Sequence, residues 1–177
     1  MRNEEVAQLN FTDWPVPDRF LTEIGRVTTV WASLESLLNL CIGKLAGFNE
    51  PDDPTPYVLV AHSSFPQRVD ILATLCEQLI ATSPALQDYK TVVSKLKTAQ
   101  KARNCYSHNT VNYDEESDSL NMPVGSARGK LKVSTEQVSL EDIKRAAIEI
   151  EEANRALYKL VLGRELQAAW TQNRSTL

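Results

Sequence analysis

The 177 residues include two histidines, three cysteines and six glycines, a small stock of the side chains that metal, redox and phosphate-loop chemistry relies on. Cys41, Cys76 and Cys105 are far apart, odd in number and never spaced Cys-x-x-Cys, so neither a disulfide framework nor a zinc site is expected. Neither His62 nor His108 has an acidic residue three or four positions before it, so the Glu-x-x-His pairs of helical metal sites are missing. The glycines are scattered, and "VGSARGK" lacks phosphate-loop spacing. No cofactor and no metal is therefore expected. No window approaches the ~18 uninterrupted apolar residues of a membrane span. The opening "MRNEEVAQLN" has no apolar core, so no signal peptide is expected there. These absences lead to the expectation of a cytoplasmic chain with no membrane partner.

What is present reads as one globular domain. The chain is 42% hydrophobic and 24% charged, and it is long enough to bury a core. Its net charge of −4 argues against indiscriminate coating of nucleic acid. From Asp18 to Phe48, apolar residues recur at Phe20, Ile24, Val27, Trp31, Leu34, Leu38, Cys41 and Leu45. Steps of four and three without a miss predict one face of a long helix. A second helix is expected from "SSFPQR" to about Ala81, with a serine cap and Pro66 in its first turn. "YVLVAH" before it reads as a short helical turn. Ser83-Pro84 makes a sharp link to a third helix, Ala85 to His108, and so short a link predicts antiparallel neighbours. A fourth opens at "SLED", where Ser139 and Asp142 form a capping box, and ends near Gly163 or continues into "ELQAAW".

Between the third and fourth helices lie about 30 residues, against ~2–8 in most bundle connections. "GSARG" reads as a turn and "KLKVSTEQV" alternates like a strand, which predicts a long loop or small β-hairpin. The expected fold is all-α, an antiparallel four-helix bundle. Residues 1–17 form an N-terminal tail, 18–168 the domain with an insertion at about 110–138, and 169–177 a C-terminal tail.

The third predicted helix carries the chemistry. From Lys90 to Thr110 it has five Lys or Arg residues and no Asp or Glu. Lys90, Lys97, Lys101, Asn104 and His108 follow one line on its wheel. Arg103, seven residues after Leu96, falls instead in the apolar face. A charge there needs a partner or a polar cavity. Glu35, beside the stripe of the first helix, is the expected partner. In ideal geometry Arg103 and His108 stand about 140° apart, so they meet only across two copies or in a loosened last turn.

The stretch "RNCYSH" at the end of this helix resembles the motif of the HEPN superfamily, in which Arg, a polar residue that is often Asn, and His close the third helix of a four-helix bundle. "GRVTTVWASLESLLNLCIGKLAGF" is similar to the long first helix of bacterial proteins of this type. The resemblance implies a metal-independent endoribonuclease acting as a homodimer, in a toxin, defence or RNA-processing role. It also implies RNA, a second copy, and an antitoxin or other protein as partners. Carried over, Arg103 and His108 take the catalytic positions and Asn104 the supporting polar one. Lys97 and Lys101 would bind substrate, with Glu35 and Ser107 in support.

Those residue types suit the chemistry. Histidine can act as base or acid near neutrality, and arginine offers phosphate a permanent forked set of donors. One histidine cannot readily be base and acid in the same step, whereas a symmetric pair supplies two. His62 is expected in a loop or at a helix end. Family toxins paired with a nucleotidyltransferase often carry Tyr two residues after the His; here Thr110 stands there and Tyr113 comes later. The family also contains inactive modules that only bind partners, which gives the alternative of a protein-interaction or dimerisation module.

Overall fold

The structure, a computed structural model, describes residues 15–50, 53–126 and 132–167. It is mostly helical, with five helices and a small antiparallel sheet among the described residues. Helix α1 spans Asp18–Leu45 and buries Phe20, Val27, Trp31, Leu34, Leu38 and Cys41. Ile24 and Leu45, in the same stripe, are half-buried. The β-branched "VTTV" is held by the burial of Val27 and Val30, while Thr28 and Thr29 donate their hydroxyls to the carbonyls of Ile24 and Gly25, at 3.1 and 2.9 Å. Val16, within the stretch expected as an N-terminal tail, is only 2% exposed. The rest of that proposed tail, and residues 169–177, lie outside the described residues.

Helix α2, Thr55–Val60, turns the chain back along α1. Pro56 presses on Gly43, where a Cβ would come within 2.6 Å of the proline ring. Helix α3, Phe65–Leu79, follows, and Gln67 Oε1 accepts from the Ser64 backbone and hydroxyl at 2.8 and 2.9 Å. A 3-10 turn over Pro84–Asp88 leads into α4, Tyr89–Ser107. The last helix, α5, is Leu140–Leu162. Its capping box forms as read, with Ser139 Oγ accepting from the Asp142 backbone at 3.2 Å and Asp142 Oδ2 from the Ser139 backbone at 3.0 Å. Gly163, at φ +68°, stops the helix, and the chain folds back so that Leu166 accepts from Arg155 Nε at 2.9 Å.

The helix directions differ from an all-antiparallel bundle. Tyr89 meets Glu77 and Lys95 meets Glu152, so α4 runs against both α3 and α5. Along α1, however, Ser33 meets Asn154 and Lys44 lies beside Leu162, so α1 and α5 advance together. Phe65 packs against Trp31 and Arg68 bonds Asn39, so α3 also runs with α1. The returning stretch through α2 makes this possible, since parallel neighbours need a long connection between them.

The insertion is a three-stranded sheet rather than one hairpin. Strands β1 (Asn112–Asp114), β2 (Ser119–Ser126) and β3 (Lys132–Val138) pair in that order, all antiparallel. The "GSARG" turn falls largely outside the described residues. Leu120 and Met122, two apart on one face, are fully buried, and Val138 pairs with Leu120. Pro123 is tolerated in the middle strand because β1 pairs only as far as Asn121. The sheet sits where α1 begins. Tyr113 lies 5.8 Å from the Phe20 ring, and Arg19 and Tyr113 both bond Asp118. Tyr113 is thereby a strap between sheet and helix.

Candidate functional site

Helix α4 ends in a way that brings Arg103 and His108 together. Asn109 Nδ2 donates to the Cys105 carbonyl at 2.9 Å, satisfying an acceptor that the finished helix leaves open. His108 leaves helical geometry at φ −125°, ψ −5°. That loosened turn closes the angular gap of the ideal wheel within one chain. Arg103 Nη1 lies 3.2 Å from His108 Nε2 and donates to Asn104 Oδ1 at 3.1 Å. A guanidinium nitrogen only donates, so the contact is a hydrogen bond when Nε2 holds its lone pair and the imidazole proton is on Nδ1. Arg103 and Asn104 are half-buried and His108 is exposed, which leaves the pair open to a large ligand.

The expected Glu35–Arg103 ion pair does not form. Glu35 Oε1 lies 2.6 Å from Arg68 Nη2, and Arg68 Nη1 donates to Asn39 at 2.9 Å. The reason is reach: Arg68, in the first turn of α3, faces Glu35 and Asn39, which stand one turn apart on α1. Arg103 instead lies over the Trp31 ring, its Cζ 5.3 Å from the centroid. Sequence reasoning read Trp31 only as part of the apolar stripe. Its place four residues before Glu35, on the side already offered to Arg103, was the available signal.

The remaining predicted residues divide. Lys97 and Lys101 are both exposed. Lys101 lines a groove of about 350 Å³ between α4 and α5 with Cys105, Tyr106, Asp142 and Arg145. It lies two residues from Arg103, about 200° around the helix, so the two face different neighbours. Ser107 ends α4, exposed, and makes no hydrogen bond with the pair among the described residues. His62 is exposed in the turn between α2 and α3, as expected. In the α4–α5 groove, burial pushes both the Cys105 thiol and the Tyr106 hydroxyl up, so neither is an activated nucleophile. Among the described residues, no three His, Cys, Asp or Glu side chains cluster as metal ligands. None of the helices there is long and apolar enough to cross a membrane. Comparison with known proteins finds no matching family model, curated protein or solved structure, so the site is read from its own residues.

Proposed function

We propose that this chain is a HEPN-like endoribonuclease, a four-helix core of α1, α3, α4 and α5 with Arg103 and His108 as its catalytic pair. The observation that carries the reading is the 3.2 Å contact between Arg103 and His108 at an exposed helix end, with Asn104 on the same guanidinium nitrogen. In the proposed reaction the ribose 2′-oxygen attacks phosphorus, its proton passes to a base, and the P–O5′ bond breaks as that oxygen is protonated. The products are a 2′,3′-cyclic phosphate and a 5′-hydroxyl. A neutral His108 whose Nε2 lone pair faces Arg103 is set up as the base. When the phosphate takes the guanidinium donors, that lone pair is released toward the 2′-hydroxyl. A second copy supplies the acid, which makes the homodimer the active unit.

Purified protein incubated with mixed RNAs in EDTA should generate cyclic-phosphate ends, and His108→Ala and Arg103→Ala should each abolish them. A folded wild-type protein that leaves every RNA intact removes the reading. The alternative, a protein-interaction module, draws on a different observation. Tyr57, Val58 and Leu59 of α2 stand 48%, 69% and 64% exposed in a row, beside Leu40 at 45%. It gains if cleavage is absent while Val58→Lys changes the oligomeric state.

A further inference from the structure

Arg103 leaves the buried face of α4, one turn beyond Ala99 and two beyond Leu96, both fully buried. A guanidinium in that position needs something to hold it, and it makes no ion pair among the described residues. It has an aromatic face instead. Trp31 is 4% exposed, and its ring centroid lies 5.3 Å from Arg103 Cζ. The ring is packed in turn against Phe65, whose centroid lies 4.4 Å away at a 45° tilt, and Arg68 Cζ lies 5.9 Å from the Phe65 ring. Arg68 is fixed by Glu35 and Asn39. Trp31, Glu35 and Asn39 follow one another at steps of four, so a single face of α1 holds both ends of this series.

We infer that Trp31, backed by Phe65 and the Arg68–Glu35 pair, is the positioning element for Arg103. Its catalytic consequence rests on the ribonuclease reading. A carboxylate would hold the guanidinium by occupying its N–H donors and offsetting its charge. A ring face attracts the cation through its quadrupole and occupies no donor, so the charge and the Nε and Nη2 donors, on the side away from Asn104 and His108, stay available for a phosphate. Arg68 contributes by keeping the Glu35 carboxylate engaged elsewhere. The indole itself supports this assignment. Its buried Nε1–H has no hydrogen-bond partner among the described residues, a cost that phenylalanine would avoid. Tryptophan is also the strongest cation binder among the aromatic side chains.

The test uses full-length protein carrying Trp31→Leu or Trp31→Phe, with two independent readouts. In the first, the Arg103 Nε–Hε proton resonance should be ring-current shifted in wild type, partly so in Trp31→Phe, and unshifted in Trp31→Leu. In the second, Trp31→Leu should lower kcat by ~10-fold or more with a smaller change in KM, and Trp31→Phe should restore most of it. An unshifted Arg103 resonance in wild type overturns the inference, as does wild-type kcat in a folded Trp31→Leu protein. Should Trp31→Leu fail to fold, the wild-type and Trp31→Phe resonances decide. A shifted resonance in a protein that cleaves no RNA upholds the positioning of Arg103 and rejects the ribonuclease reading alone.

Discussion

At the residue scale, the arginines show how far partner and burial decide the role of a charge. Arg68 has a side chain only 12% exposed and spans Glu35 and Asn39, whereas Arg19 and its partner Asp118 are 49% and 63% exposed. Arg68→Ala strands a half-buried carboxylate and should lower unfolding free energy by ~1–3 kcal/mol in urea titrations. Arg19→Ala should cost clearly less, because water screens the exposed pair. Equal losses would show that Arg68 is not the anchor described. The three thiols are ordered in the same way. Burial pushes Cys41 up to about 12 and Cys76 up to about 11, and it raises the half-buried Cys105 less far. A raised pKa means less thiolate at any given pH, and the thiolate is the reactive form. Alkylation of the native protein at pH 8, followed by mass spectrometry, should therefore label Cys105 first and leave Cys41 and Cys76 unlabelled until unfolding.

At the element scale, two glycines of α1 should respond to alanine with opposite signs. Gly25 is exposed within the helix and a Cβ there meets nothing within 4 Å, so Gly25→Ala should stabilise by ~0.5–1 kcal/mol. Gly43 is buried under Pro56, and Gly43→Ala should destabilise by ~1–3 kcal/mol as α2 is forced off α1. Thermal melts of the two variants measure both at once. The helices themselves were legible in the sequence because each signal is local. The steps of three and four in the Phe20-to-Leu45 stripe, the Ser139–Asp142 box and the Gly163 stop are each set by residues a turn or so apart. The sheet was only half legible. β3 alternates clearly, but β1 is three residues long and β2 contains a proline, so neither gives a periodic signal.

At the scale of the whole molecule, the functional reading depends on a second copy, and concentration tests that dependence. If the acid and the base come from different protomers, specific activity should fall on dilution in step with dimer dissociation followed by light scattering. Constant specific activity in a demonstrated monomer would place both proton transfers within one chain. His62, the other histidine of the chain, would then be the one to examine next.

The sequence alone determined the helices, their caps, the excess of positive charge on α4 and the Arg-Asn…His spacing. All of these follow from interactions close along the chain. Tertiary structure decided which partner each charge found. Glu35 went to Arg68 because α3 begins beside that face of α1, and Arg103 came to rest on Trp31. It also decided that α1 and α5 run together, a choice made by the returning stretch through α2 and invisible to periodicity. The meeting of Arg103 with His108 lies between the two. The spacing put them near a helix end, but only the non-helical backbone of His108, beside the Asn109 cap, turned the imidazole toward the guanidinium.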